Sequence, residues 1–214
     1  MGRKPWGVRA ISAVASSRTA NSLLRSLLLA PPGAGKGTQG ERIATQYGVP
    51  HIATGDLLRE EVARRTPTGA EAAAHMARGE LVPDRLVMAL VLERLGGLEP
   101  PVGFLLDGFP RTLPQAEQAY AWGTAQDLTF QAVIALNVPE DVLVERVARR
   151  GMATGRQDDT VETVQRRLRI YATTSEALLD FYSRRGILFE VDGTGTVDEV
   201  TDRIRSHLDT LDLR

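Results

Sequence analysis

The chain has 214 residues, 43% of them hydrophobic and 25% charged, which suits one compact domain able to bury a core. With no cysteine there is no disulfide, thiolate metal site or thiol nucleophile. His51, His75 and His207 lie too far apart to suggest zinc, and no apolar run approaches the roughly 20 residues that span a bilayer. The formal charge of −1 hides an asymmetry: no acid precedes Glu41, and the acidic remainder argues against a broad nucleic-acid surface.

Residues 1–24 are rich in Ser, Ala and Arg and read as a disordered or removable basic tail. An organellar transit peptide is the alternative. Leu27-Leu28-Leu29 then reads as a buried strand, followed by a glycine-rich turn and a helical pattern from Lys36 to Tyr47. A second strand is expected at Val49–Ala53, then helices around Gly55–Arg65, Ala70–Arg78 and Arg85–Leu95. Phe104-Leu105-Leu106 forms a third strand ending at Asp107, before a helix over about Leu113–Trp122 and a strand at Val133–Val138. Pro139-Glu140-Asp141 opens the next helix with proline and acids in its first turn. A long helix over about Thr160–Arg184, a strand at Ile187–Val191 and a capping box at Thr196–Glu199 complete the chain. Strands alternating with helices predict an α/β fold, a parallel sheet with helices on both faces.

The turn "APPGAGKGT" (Ala30–Thr38) joins a strand to a helix, the context in which a phosphate loop presents backbone N–H groups to an anion. Lys36 then reaches outer phosphates, and Thr38 offers a hydroxyl to phosphate or Mg²⁺. The competing reading is a Gly/Pro turn with Lys36 as a surface charge. Arginine supplies 24 of the 26 basic residues, so a lysine at the one position where a phosphate loop needs it is informative. Asp107, ending a strand on that side of the sheet, can hold Mg²⁺ or its waters; a capping or turn role is the plain alternative.

Four further segments follow in order: "ATGDLLRE" (Ala53–Glu60), "GELVPD" (Gly79–Asp84), "LLDGFPRTLPQAE" (Leu105–Glu117) and "GRQDDTVETVQRRL" (Gly155–Leu168). With the loop, they make the chain resemble adenylate kinases of the nucleoside monophosphate kinase family, from about Ser26 to His207. The resemblance implies a P-loop three-layer fold with core segments 25–53, 85–149 and 160–214. It adds a small helical AMP-binding lobe at about 54–84 and a short lid at about 150–159. It implies transfer of a phosphoryl group between Mg-ATP and AMP, giving two ADP. No general base is needed, because the AMP phosphate is already an anionic nucleophile.

By the same resemblance, Gly33, Ala34, Gly35, Lys36, Gly37, Thr38, Arg146, Arg149 and Gly195 serve ATP. Thr54, Gly55, Arg59, Leu81, Val82, Gly108, Arg111, Gln115, Arg156 and Arg167 serve AMP. Arg59 and Arg111 clamp its phosphate, while Thr54 and Gln115 meet adenine. Lys36, Arg111, Arg146, Arg156 and Arg167 surround the transferring group, and Asp107 holds Mg²⁺ through water. Thr54 and Gln115 also have structural readings, a cap on the helix at Gly55 and a capping box from Thr112. Arg166 and Arg169 read as a solvated helix face. A pyrimidine monophosphate kinase is the rival within the family; such enzymes resemble this chain but usually carry alanine at the Thr54 place and asparagine after "GFPR". A nucleotide-dependent binding protein is the rival outside it. The partners implied are ATP, AMP and ADP, with no nucleic acid or membrane, in a cytoplasmic monomer.

Two departures stand out. Ala30 replaces the first glycine of the loop, a strained choice only if that site needs positive φ. Gly40 sits early in the next helix, at a cost of roughly 1 kcal/mol relative to alanine.

Overall fold

The computed structural model describes residues 23–98, 102–154 and 161–212, with side chains described outside 148–154 and Val161. The strands are β1 (Arg25–Leu29), β2 (His51–Ala53), β3 (Phe104–Asp107), β4 (Ala132–Asn137) and β5 (Leu188–Asp192). They form one parallel sheet in the order β2-β3-β1-β4-β5. Around it lie α1 (Lys36–Tyr47), α2 (Thr54–Ala63), α3 (Pro67–Ala77), α4 (Asp84–Gly96), α5 (Leu113–Ala125), α6 (Glu140–Thr154), α7 (Val161–Ser183) and α8 (Val197–Leu208).

The central strands are apolar along most of their length because both faces are covered. Leu27 and Leu29 enter one buried cluster with Leu106, Val91, Phe109 and Tyr182, while Leu28 enters the other with Ile43, Ile134 and Ile204. The period of two that splits these leucines between clusters is that of an extended strand. β1 leads through α1 to β2 on one side, whereas β3 leads through α5 to β4 on the other. Right-handed crossovers in opposite directions put α1 and α5 on opposite faces, and a crevice opens at the carboxyl ends of β1 and β3.

The chain between β2 and β3 carries α2, α3 and α4. Most predicted boundaries shift by a residue or two, as helix and strand ends commonly do. Two differ for a local reason. Thr66 caps α3 through the Gly69 N–H with Pro67 at the first helical position, so the helix starts three residues before Ala70. Thr54 is not a cap, because α2 begins at Thr54 itself, behind Ala53.

Candidate active site

β1 delivers the chain into the turn over Ala30–Gly35, where Gly33 (φ 87°) and Gly35 (φ 91°) take left-handed conformations. A Cβ at Gly33 would stand 2.6 Å from Val147 Cγ2 and 2.9 Å from the Leu143 carbonyl, so the loop lies directly against α6. Gly35 precedes α1, which has no side-chain cap and no acid in its first turn. The N-terminal end of α1 therefore suits an anion, with the helix dipole in support. Lys36 Nζ donates to the carbonyls of Ala30 (2.7 Å) and Pro31 (3.1 Å), which folds the ammonium over the same turn.

Ala30 is unstrained: among the described residues, only Arg65 and Asp127 combine a side chain with positive φ. Ala30 is buried, and its carbonyl holds the lysine, so glycine is not required there.

Gly40 has a packing reason that the sequence did not reveal. A Cβ there would come within 2.4 Å of His51 Nε2. That nitrogen is buried without a hydrogen-bond partner and stands 3.7 Å from Asp107 Oδ2. The imidazole thus occupies the space of a missing side chain and faces the carboxylate that ends β3. His51 lines the crevice, although its isolation in the sequence gave no sign of a role there.

The crevice holds about 740 Å³. Its wall includes Gly33, Gly35, Lys36, Gly37 and Thr38 on the loop side. Gly55, Arg59, Leu81, Val82, Asp107, Gly108, Arg111, Arg146 and Arg167 also line it. Ala34, Thr54, Gln115 and Gly195 stand outside that wall. The Arg149 side chain and Arg156 lie outside the described residues. Ile170, Tyr171 and Thr174 of α7 complete the wall; as members of a long amphipathic helix they carried no signal of their own.

Arg111 is the electrostatic centre of the acceptor side. Its Nε donates to the Gly108 carbonyl at 2.8 Å, and its guanidinium opens to the crevice with protein around it. Desolvation first, then the charges of Arg167 and Arg59, push its pKa below the usual arginine range, against the pull of Asp107. Three like charges gathered in one concavity are unfavourable alone and become favourable around an anion. Arg59 meanwhile pairs with Asp56 on its own helix, and Arg146 donates to the Gly193 carbonyl at 3.0 Å. Arg166 is exposed but not merely solvated: it reaches Glu80 at 3.0 Å, joining α7 to the segment after α3.

Thr54 and Gln115 are both buried. Thr54 Oγ1 donates to the Asp107 carbonyl at 2.9 Å, tying α2 to the end of β3. Gln115 completes only half of the expected capping box. Its N–H donates to Thr112 Oγ1, but its Oε1 accepts from the Arg111 N–H rather than from Thr112.

Asp107 has a side chain only 10% exposed, with His51 Nε2 3.7 Å from its Oδ2. A buried carboxylate beside an anion cradle fits a hydrated Mg²⁺, which commonly takes one or two protein carboxylates plus phosphate oxygens. Among the described residues no group of three His, Cys, Asp or Glu gathers to form a cage by itself.

A parallel sheet whose first strand feeds an uncapped helix through a glycine turn and lysine, facing gathered arginines, defines a phosphate-loop protein for phosphorylated ligands. Residues 28–187 match the family model for adenylate kinase. The chain is 45% identical over 185 residues to an adenylate kinase of Xanthomonas oryzae pv. oryzae, covering 86% of this chain and 99% of that one. It is 45% identical over 181 residues to an adenylate kinase of Xylella fastidiosa, covering 85% and 97%. The chain belongs to the adenylate kinase family.

Proposed function

We propose that the protein catalyses reversible phosphoryl transfer between Mg-ATP and AMP, giving two ADP. The observation that carries this reading is one crevice lined by the Lys36 loop on one side and by Arg59, Arg111 and Arg167 on the other. A kinase that joins two phosphorylated substrates needs both. The family relationship and the adenylate kinase names of the relatives support the same reaction.

The donor triphosphate lies on the loop amides and Lys36, with Arg146 beside it. The acceptor phosphate lies on Arg59 and Arg111, whose planar guanidinium groups suit bidentate recognition. Arg167 stands between the two, where charge develops in an in-line transfer. Asp107, through water, and Thr38 would hold Mg²⁺, which would supply neutralising charge to phosphoryl oxygens. Leu81, Val82 and Gly55 border the acceptor base and ribose, and Thr54 and Gln115 select adenine. The segments 54–84 and about 150–159 act as acceptor lobe and lid; Arg149 and Arg156 join the phosphates on the lid side. Residues 155–160 fall outside the described residues.

A KM split tests the two-site reading. Arg111→Lys keeps a charge but loses the fork, so the KM for AMP should rise by about tenfold or more while the KM for ATP changes far less. Equal increases for both substrates would contradict the division of the crevice.

A further inference from the structure

The proposed adenine reader is held by Asp84, the last residue of the "GELVPD" segment, to which no role was assigned from the sequence. Gln115 Nε2 donates to Asp84 Oδ1 at 2.6 Å, and Gln115 Oε1 accepts from the Arg111 N–H at 2.8 Å. Asp84 Oδ2 accepts in turn from Thr112 Oγ1 at 3.1 Å. A carboxylate can only accept and a backbone N–H can only donate, so these two neighbours fix which end of the amide is oxygen and which is nitrogen. Turning the amide over would set its oxygen against a carboxylate and its NH₂ against an N–H. One N–H and one lone pair remain on a side chain that is 2% exposed.

We propose that Asp84 is a specificity-determining positioning residue, which locks the Gln115 amide to match adenine and reject 6-oxopurines. The inference rests on the reading of Gln115 as the residue that meets the acceptor base. The Watson–Crick edge of adenine offers a donor at N6 and an acceptor at N1. The remaining Oε1 lone pair takes N6–H, and the remaining Nε2–H reaches N1. Hypoxanthine and guanine reverse the pattern, with an acceptor at O6 and a donor at N1. Against a locked amide they meet oxygen with oxygen and N–H with N–H. A free glutamine would rotate by half a turn and pair with either, so discrimination comes from the lock and not from the glutamine alone.

The test compares kcat/KM for AMP and IMP, since IMP differs from AMP only at this edge. The wild type should favour AMP by on the order of a hundredfold, because unmatched polar groups in a desolvated site are costly. Asp84→Asn, nearly isosteric and able to turn its own amide, should lower the AMP-to-IMP ratio by about tenfold, mainly by raising the value for IMP. Asp84→Ser serves as a second variant, and a general loss of folding would lower both acceptors alike and leave the ratio in place. A wild-type ratio near one, or a ratio unchanged in folded Asp84 variants while Gln115→Ala flattens it, would overturn the role of Asp84. A ratio unchanged in Gln115→Ala would instead remove Gln115 as the base reader, and this inference with it.

Discussion

At the residue scale, Lys36 and Gly40 show opposite ways in which a single position shapes the site. Lys36 is held to the loop carbonyls, so it can be removed without emptying the core. Lys36→Met should lower kcat by about a hundredfold or more with little change in melting temperature, as expected for loss of one preorganised charge. Near-normal turnover in a folded variant would remove the phosphate-loop role. Gly40→Ala would ordinarily gain about 1 kcal/mol of helix propensity. Here the new methyl group meets the His51 ring, and overpacking costs about 1–3 kcal/mol. Urea denaturation should therefore show no gain, and a clear increase in stability would mean that the imidazole moves freely. At Ala30, where no positive φ is required, Ala30→Gly should cost about 0.4–1 kcal/mol through the unfolded chain and change activity little.

At the scale of elements, the fold was largely legible because the central strands announce themselves with apolar residues on both faces. The loop was legible from its own residues, whereas Arg59 and Arg111 were legible only through the family resemblance; all of them line the crevice with Asp107. What was not legible depends on contacts between segments far apart in sequence. His51 reaches Asp107 across 56 positions, Thr54 turns from capping to the β3 carbonyl, and Gln115 is shared between Arg111 and Asp84. No local pattern encodes those choices. The Thr196–Glu199 box was readable because it is local, and both of its reciprocal bonds form at the start of α8. Thr196→Ala should cost about 1 kcal/mol in chemical denaturation. The backbone N–H of Thr196, then its hydroxyl, holds the Glu199 carboxyl below its ordinary pKa. A depressed acid pKa stabilises the fold above the unfolded value and loses that effect as pH falls through the folded one. The stability difference between the wild type and Glu199→Gln should accordingly shrink on acidification, and a constant difference would show that the charge plays no part.

At the scale of the whole molecule, function follows from where the topology brings its cations together. β1 leads into the Lys36 loop and the segments around β3 carry Arg111 and Asp107, and the reversal of crossover direction leaves a crevice between them. On the surface, Arg42 pairs with Asp198 and Arg184 with Asp180. In the crevice, Arg167 and Arg59 lower the pKa of Arg111 after desolvation, and Asp107 opposes them. No helix among the described residues is long and apolar enough to cross a membrane. The proposed reaction moves a phosphoryl group in this crevice from Mg-ATP to AMP. The most direct test is ADP formation measured with AMP, CMP, UMP and GMP in turn, with and without Mg²⁺. Rapid Mg²⁺-dependent turnover with AMP and little with the other three is the predicted result. Preference for CMP or UMP, or no turnover with any acceptor, would contradict the account.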